Sequence, residues 1–350
     1  MKQIDTIIVG LGLAGVAYAE QLLQLGKSFV VFSDQSQNAS VVAGGLYNPT
    51  ILKRFTAAWQ AKEQLEIALP FYAQIEARLG STFDYKAPIL RRFASIEEQN
   101  LWFQAADKES LSPFLSLQLL NNENSGFSVP FKFGEVRKTG RVATKALLRD
   151  FASYLTTKGL LKNQSFEHAA IDFKDQGVQY KEYYAQQIVF AEGYGLKQNP
   201  FFRDLPLEGT KGEVLTLRIP GLEEKSIIKS GVFIIPLGSD LYRVGSTYFW
   251  RDKTLGPTAD AQKFLLDRLE RFMTLPYEII SHAAGIRPTV SDRRPLLGRH
   301  ITHPCLYVLN GMGSRGVLIA PTAAKALSDL IYKNMPLDPE MDILRFSEKL

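Results

Sequence analysis

The chain has 350 residues, of which 45% are hydrophobic and 22% charged, a composition typical of a globular enzyme with one or two domains. It contains no apolar run long enough to cross a bilayer as a helix. The formal net charge of +5 comes from scattered basic residues, which excludes the concentrated basic tail found in many nucleic-acid-binding proteins.

A strand, a glycine turn and a helix are the first predicted elements. The apolar segment Asp5–Val9 leads into Gly10, Gly12 and Gly15, which stand in G-x-G-x-x-G spacing. In such a turn the first glycine permits the tight bend, the second allows close approach to a pyrophosphate, and the third lets the helix pack. Backbone N–H groups at the start of the helix, at Leu13 and Ala14, would face the phosphates. The segment predicts a bound dinucleotide without distinguishing FAD from NAD.

Two other interpretations of this segment are weaker. Lys2, the apolar residues 6–16 and the small residues near 17–19 resemble a secretory signal, but Asp5 and the glycines do not suit an apolar signal helix. A chance glycine-rich turn would not explain the strand predicted over Ser28–Phe32, which closes a βαβ unit.

The end of that second strand departs from the usual pattern. The position where an acidic residue normally binds the ribose hydroxyls holds Ser33, and Asp34 comes one residue later. Either side chain is a candidate for the ribose contact. Further on, Ala43, Gly44 and Gly45 precede Leu46, and such small residues would let the backbone lie flat against a planar ring. A plain loop is the alternative.

The remaining elements divide into a helical and a strand-rich group. Helices are predicted over Thr56–Leu79, Ile96–Lys108, Thr144–Lys158, Asp260–Met273 and Pro321–Lys333. Strands are predicted over Ile89–Phe93, Phe127–Val136, a hairpin within Ala170–Ala191, Gly212–Ile219, Ile227–Ile235, Leu241–Ser246 and Leu306–Asn310. We therefore predict an α/β (α+β) fold. Its Rossmann-like dinucleotide-binding domain would comprise residues 1–80, 141–205 and 286–350, and a mostly antiparallel substrate domain would comprise 81–140 and 206–285.

The single cysteine, Cys305, excludes an internal disulfide and indicates a reducing, cytoplasmic environment. It precedes an apolar strand, so we expect a packed residue and a non-covalently bound cofactor. His300 and His303 lie in a turn-like segment, and no metal site is predicted.

Four segments in order together resemble the FAD-dependent D-amino-acid oxidase and glycine oxidase family. They are the N-terminal glycine turn, Ala39-Ser40-x-x-Ala43-Gly44-Gly45, Gly285-Ile286-Arg287-Pro288-x-x-x-Asp292-x-x-Pro295-Leu296-Leu297-Gly298, and Gly311-x-Gly313-Ser314-Arg315-Gly316-Val317. Weaker matches, such as Glu192-Gly193 after a strand, fill the gaps, and the resemblance covers essentially the whole chain. The Gly-Ser-Arg-Gly loop is most similar to the oxidase half of the bifunctional enzyme that matures a wobble uridine of tRNA.

This resemblance implies that FAD is the cofactor and that its ring lies between two loops. One loop is Ala43–Leu46 and the other is the C-terminal loop Gly311–Val317, which includes Gly313, Ser314, Arg315 and Gly316. A glycine loop that leads into a helix offers backbone donors and a positive dipole end, which would stabilise negative charge on a reduced flavin.

The resemblance also implies three catalytic residues. Family members use the arginine of Gly-x-Arg-Pro, here Arg287, to hold a substrate carboxylate, and a guanidinium binds a carboxylate through two parallel hydrogen bonds. A salt bridge of Arg287 to a residue such as Asp292 is the structural alternative. Tyr248 would contact the substrate or belong to an aromatic interface. Arg315 would contact the flavin or the substrate, or cap its loop.

We expect an FAD-dependent enzyme that oxidises the C–N bond of a small amine or amino acid by hydride transfer to flavin N5. One alternative is an oxidase acting on an aminomethyl-modified uridine of tRNA, and another is a flavoprotein without this activity. The sequence leaves the electron acceptor and the oligomeric state open.

Overall fold

The computed structural model describes residues 1–349, in which two eight-stranded sheets face each other across a cavity. The α-helices are α1 (Leu13–Gln24), α2 (Ala39–Val42), α3 (Ala61–Leu79), α4 (Ile96–Ala106), α5 (Thr144–Thr157), α6 (Ala259–Leu269) and α7 (Gly316–Lys333).

The strands run in chain order from β1 to β21. They are β1 (Lys2–Val9), β2 (Phe29–Phe32), β3 (Leu46–Tyr47), β4 (Thr50–Ile51), β5 (Thr56–Ala57), β6 (Asp84–Lys86), β7 (Ile89–Arg92), β8 (Leu115–Leu120), β9 (Phe133–Val136), β10 (Gly140–Val142), β11 (Leu161–Lys162), β12 (Asp172–Lys174), β13 (Gly177–Tyr180), β14 (Tyr183–Phe190), β15 (Thr210–Arg218), β16 (Ile227–Lys229), β17 (Phe233–Gly238), β18 (Leu241–Gly245), β19 (Glu278–Arg287), β20 (Leu296–Arg299) and β21 (Leu306–Asn310).

The first sheet has the order β11-β2-β1-β14-β13-β12, with β21 beside β14 and β20 beside β21. Strands β11, β2, β1, β14 and β21 are parallel to one another. Their carboxyl ends lie along one edge, where α/β sheets bind ligands. Helices α1, α3, α5 and α7 cover one face with a continuous apolar core.

Helix α1 shows why this sheet holds together. Val16, Tyr18 and Leu22 have no more than 1% of their surface exposed, because α1 lies between the sheet and α7. A second apolar cluster covers the other face and includes Ile7, Phe190 and Leu306.

The second sheet has the order β19-β15-β18-β17-β16-β7-β9-β8 and is antiparallel except for the β16–β7 pair. Its outer face packs on α6 through residues such as Leu215, Val244 and Leu265. Its inner face forms one wall of the cavity, and β19 brings Arg287 to that wall.

The predicted fold class is confirmed, while several predicted boundaries are wrong. The helix predicted from Thr56 begins at Ala61, because Thr56 and Ala57 pair with Ile51 and Thr50 instead. The strand predicted over Phe127–Val136 is confined to Phe133–Val136, and Ile227–Ile235 is divided between β16 and β17. The division into domains at the stated boundaries stays a prediction.

Candidate functional site

A cavity of about 1540 Å³ extends between the carboxyl edge of the first sheet and the inner face of the second. It reaches from the β1–α1 turn to the end of β19. Residues far apart in the sequence therefore line one continuous space.

The β1–α1 turn is built so closely that glycine is required at two positions. Gly10 has φ of +98°, and a Cβ there would lie 2.5 Å from the carbonyl oxygen of Ala191 on the neighbouring strand. A Cβ at Gly15 would overlap the carbonyl oxygen of Gly10. Gly15 does not line the cavity, so its role is to let α1 lie against the sheet.

Gly12 has a different reason to be glycine. Its φ of −79° is ordinary, and the nearest atom to a built Cβ is the Ser40 hydroxyl at 3.3 Å. The backbone at Gly12, Leu13 and Ala14 faces the cavity at the helix N-terminus, where the orphan N–H groups of a helix attract anions. Ser40 accepts a hydrogen bond from the Leu13 N–H at 3.2 Å.

Ser33 and Asp34 both line the cavity beyond the end of β2. The Asp34 carboxylate accepts hydrogen bonds from the Ser36 N–H at 3.0 Å and the Ser165 hydroxyl at 2.8 Å. These bonds, led by the one from Ser36, lower the pKa of Asp34. The carboxylate is thus held ionised at the cavity rim, next to the half-buried Ser33.

The segment Ala43–Leu46 crosses the cavity between the two sheets. A Cβ at Gly45 would overlap the carbonyl oxygen of Val142, whose N–H donates to the Gly45 carbonyl at 2.9 Å. A Cβ at Gly44 would lie 2.9 Å from the Ile235 side chain. Because these residues are small, the backbone fits between Val142 and Ile235.

Beside the turn, Glu192 and Gly193 follow β14 and line the cavity. The Glu192 carboxylate accepts from the Asn199 amide at 2.7 Å and lies 2.9 Å from Nε2 of His168. Asn310 donates to the Gly193 carbonyl at 2.9 Å, which joins the ends of β14 and β21. Sequence reasoning missed His168 and Asn310, because only the fold brings them to this edge.

The C-terminal loop divides into packing and lining residues. Gly313, Ser314, Arg315, Gly316 and Val317 line the cavity at the start of α7. Gly311 lies behind them with φ of +78°, and a Cβ there would meet Val290 at 2.7 Å, so it serves packing. Its predicted contact with a cofactor ring therefore has no support in the cavity lining.

Arg315 is half-buried, and its guanidinium is hydrogen-bonded to other parts of the chain. Its guanidinium donates to the carbonyl oxygens of Asn48 at 3.0 Å and Thr50 at 3.3 Å. Burial lowers the pKa of Arg315 to about 10. These bonds connect the C-terminal loop to the segment after Leu46. They correspond to the predicted alternative in which Arg315 caps its loop.

Arg287 lies on the second sheet with its guanidinium in the cavity wall. It donates to the Ser246 hydroxyl at 2.7 Å and to the Thr247 carbonyl at 3.2 and 3.3 Å. Asp292 is not its partner, because that carboxylate pairs with Arg345 at 2.9 Å. Within residues 1–349 Arg287 has no salt bridge, and burial lowers its pKa.

Tyr248 stands beside Arg287 at the opening of the cavity. Its ring centroid lies 5.2 Å from the guanidinium carbon and 5.5 Å from the Trp250 ring. Tyr248 is 40% exposed and Trp250 39% exposed. Tyr248 lines the cavity, and the exposed Trp250 ring lies next to it outside the lining, so neither ring belongs to a closed core.

The charges on the cavity wall are strongly unequal. Among the described residues eight basic side chains line it: Lys53, Arg141, Lys145, Arg149, Lys229, Arg243, Arg287 and Arg315. The acidic residues in the lining are Asp34 and Glu192, both on the side of the first sheet. The cavity is suited to anionic ligands.

No group of three His, Cys, Asp or Glu side chains in residues 1–349 is arranged to hold a metal ion. No helix in that range has the length and apolar character needed to cross a membrane.

Comparison with known proteins identifies the family. Residues 5–330 match the model of the DAO family, described as FAD dependent oxidoreductase. The chain belongs to this family. It is an FAD-dependent oxidoreductase, as the sequence motifs predicted.

Individual relatives are distant. Over 97% of this chain, the tRNA 5-methylaminomethyl-2-thiouridine biosynthesis bifunctional protein MnmC of Haemophilus ducreyi is 23% identical, and 57% of that protein is covered. Glycine oxidase of Bacillus licheniformis is 22% identical, with 95% of this chain and 94% of the relative covered. The chain spans just over half the length of the first of these relatives.

The crystal structure of glycine oxidase from Geobacillus kaustophilus has the same fold, with a TM-score of 0.78. The two chains are 18% identical, and the match covers 99% of this chain and 98% of the other.

The cavity itself fits the family's cofactor. A turn with no room for a Cβ at Gly10 or Gly15 leads into a helix N-terminus that lines the space, and the small residues Ala43, Gly44 and Gly45 line it as well. The first suits a pyrophosphate and the second a planar ring.

Proposed function

We infer that this enzyme oxidises the C–N bond of a small amine or amino acid that carries a carboxylate. The observation that supports this is Arg287, a guanidinium set in the cavity wall without an acidic partner in residues 1–349. A buried cation in this state is stabilised by an anionic ligand, and a carboxylate matches its planar fork.

The first part of the proposal concerns the residues that hold FAD, bound non-covalently. The pyrophosphate would lie at Gly10, Gly12, Leu13 and Ala14, and the ribose at Ser33 or Asp34. The other residues proposed to line the cofactor are Ala43, Gly44, Gly45, Leu46, Glu192, Gly193, Gly313, Ser314, Arg315, Gly316 and Val317. When bound, FAD supplies a hydride acceptor at flavin N5.

The second part concerns what the protein does to the substrate. Arg287 binds the carboxylate, and its bonds to Ser246 and Thr247 fix the guanidinium plane. Tyr248 lies against Arg287 and limits the positions open to the rest of the substrate. Holding the carboxylate in one place orients the adjacent C–H bond, which is the contribution expected of a positioning site.

Among residues 1–349, no carboxylate or histidine lines the cavity beside Arg287. The acidic groups and His168 in the described lining lie toward the first sheet, and His168 is engaged by Glu192. The substrate amine therefore loses its proton to solvent and reacts in the neutral form. The substrate gives up a hydride to the flavin, and water hydrolyses the resulting imine to a carbonyl compound and ammonia, or an amine where the substrate is a secondary amine.

The test is anaerobic flavin bleaching of the holoenzyme with glycine, sarcosine, D-amino acids and proline. Arg287→Leu should raise KM for a carboxylate substrate about 100-fold, because a desolvated charge pair is lost. Arg218→Leu, an exposed arginine paired with Glu278, is the matched control and should leave KM unchanged. An unaltered KM in Arg287→Leu would contradict the proposed carboxylate contact.

A second candidate is oxidation of an aminomethyl group on a modified tRNA uridine. It is favoured by the exposed Tyr248 ring in the cavity lining and the exposed Trp250 ring 5.5 Å from it, which could stack on a base, and by the similarity to MnmC. Bleaching by modified tRNA, with salt-sensitive binding, would support it. No reduction by any amine or tRNA would instead favour a flavoprotein without amine oxidase activity.

A further inference from the structure

Arg141 and Arg243 are two cavity arginines that the proposed reaction does not use. Arg141 lies on β10, where it pairs with Leu46, and Arg243 lies on β18. Arg243 donates from Nη1 to the Ala43 carbonyl at 2.9 Å. Arg141 donates from Nε to the Pro236 carbonyl at 3.0 Å, on the strand that pairs with β18.

Within residues 1–349 neither arginine has a salt bridge. Each uses one of its five N–H donors on a backbone carbonyl, and the Arg141 guanidinium stacks 4.4 Å above the exposed Tyr85 ring. The Nε of Arg243 is shielded from solvent and has no hydrogen-bond partner among the described residues. Burial lowers the pKa of Arg243, and the neighbouring Arg141 cation lowers it further.

Two mutually repelling, partly buried cations without a counterion are costly, because each has lost water without gaining a charge partner. Binding of a small anion between the two guanidinium groups reduces this electrostatic cost. Guanidinium groups favour oxyanions, since their planar N–H pairs match two oxygens of a carboxylate or phosphate.

The hydrogen-bond partners of this pair differ from those of Arg287, and the strands present the two sites at different register positions. The Arg287 guanidinium lies over Gly212, whereas Arg243 pairs in the sheet with Thr216. These β15 positions are four residues apart, which corresponds to about 13 Å along a strand. The pair contacts the segment Ala43–Leu46 rather than the β1–α1 turn, where the pyrophosphate would bind.

We propose that Arg141 and Arg243 form a second anion site of this cavity, which binds a small oxyanion, carboxylate or phosphate, independently of Arg287.

The test is calorimetric titration of the FAD-loaded protein with inorganic phosphate and, separately, with acetate at low ionic strength. All proteins carry Arg287→Met, so that a carboxylate at Arg287 does not contribute and the outcome does not depend on oxidase activity. We expect saturable binding that Arg243→Met and Arg141→Met each weaken at least tenfold. Arg218→Met in the same background is the control and should bind unchanged. The stronger of the two titrants identifies the class of oxyanion.

A second measurement guards against misfolding of the variants. Arg243→Met should be at least as heat-stable as the parent without added anion, because it removes an uncompensated charge, and should lose the stabilisation by phosphate or acetate. Arg243→Lys should retain part of the binding. Equal binding by parent and Arg243→Met, or no binding by the parent, would overturn the proposal. Binding of phosphate or acetate by the FAD-free protein but not by the FAD-loaded protein would also overturn the proposal, because FAD would then be the counterion of the two arginines.

Discussion

The guanidinium of Arg287 lies directly against Gly212, in the space that a Cβ at position 212 would occupy. The two residues are on adjacent strands, β19 and β15, and Gly212 pairs with Gly285 two residues before Arg287. The absence of a side chain on one strand thus determines where the cationic group of the other strand rests.

Gly212→Ala should therefore displace Arg287 without unfolding the sheet. If Arg287 binds the substrate carboxylate, a shift of about 1 Å should raise KM by 10- to 100-fold. Steady-state kinetics with the amine that bleaches the flavin measures this effect. Gly256→Ala is the matched control, because a Cβ at Gly256 meets nothing within 4 Å. Equal KM values for the two variants would show that the contact is unimportant.

The glycines of the N-terminal turn should separate into two classes of variant. Gly15→Ala places a methyl group into the Gly10 carbonyl and should destabilise the fold itself. Gly12→Ala meets only the Ser40 hydroxyl at 3.3 Å, so the chain should fold, but its methyl group would occupy space beside a bound pyrophosphate. Thermal denaturation and FAD content distinguish them. Full FAD retention by a folded Gly12→Ala would argue against the placement of the pyrophosphate.

Lys211 anchors the segment that carries Tyr248, and its replacement should be strongly destabilising. It is fully buried and binds Asp252 at 2.7 Å and Thr254 at 2.8 Å, with Glu213 at 3.4 Å. Lys211→Met would leave the buried Glu213 carboxylate without this cation, at a cost of about 3–5 kcal/mol in unfolding free energy.

Chemical denaturation measures that cost. Lys263→Met, which removes an exposed lysine paired with Asp267, should leave the unfolding midpoint nearly unchanged. A similar midpoint for both variants would contradict the anchoring role of Lys211.

Lys229 should make stability rise with pH in the alkaline range. Burial, together with Arg91 and Arg268, lowers its pKa from 10.5 to about 8. Between about pH 8 and 10.5 the unfolded chain binds more protons at this site than the folded chain, so unfolding becomes less favourable as pH rises. Below pH 8 the full penalty is present.

Lys229→Met should consequently be stabilising at pH 7 by about 2 kcal/mol, and the gain should shrink toward pH 10. Denaturation of the parent and of Lys229→Met at each pH measures the difference in their unfolding free energies. The titration of all other groups contributes equally to both proteins and cancels in this difference. Lys62→Met, at an exposed position, should show no such pH-dependent gain. A constant gain for Lys229→Met would indicate an effect of packing rather than charge.

The features that sequence predicted well are those with local causes. The β1–α1 turn depends on glycines within six residues of one another, and the predicted strand Leu306–Asn310 agrees with the structure. Strand β19 escaped prediction because its first four residues are all exposed, which removes the alternation that signals a strand.

The site residues that were missed depend on contacts across the fold. His168 reaches the cavity through Glu192, and Arg243 through the Ala43 carbonyl, 200 positions earlier in the chain. No spacing rule connects such residues. Arg287 was identifiable from its motif, but the lack of an acidic partner could be seen only in three dimensions.

The position of β1 in the first sheet has a consequence for synthesis of the protein. Lys2 pairs with Tyr183, and Ile188 on that neighbouring strand pairs with Leu306. During translation, the edge of β1 that pairs with β14 therefore stays unpaired until residues 183–190 have been made. The edge of β14 that pairs with β21 stays unpaired until residues 306–310 have been made. Non-local pairing of this kind slows folding and leaves strand edges open to other chains. The nascent protein is expected to be prone to aggregation until residue 310 has left the ribosome and both pairs can form.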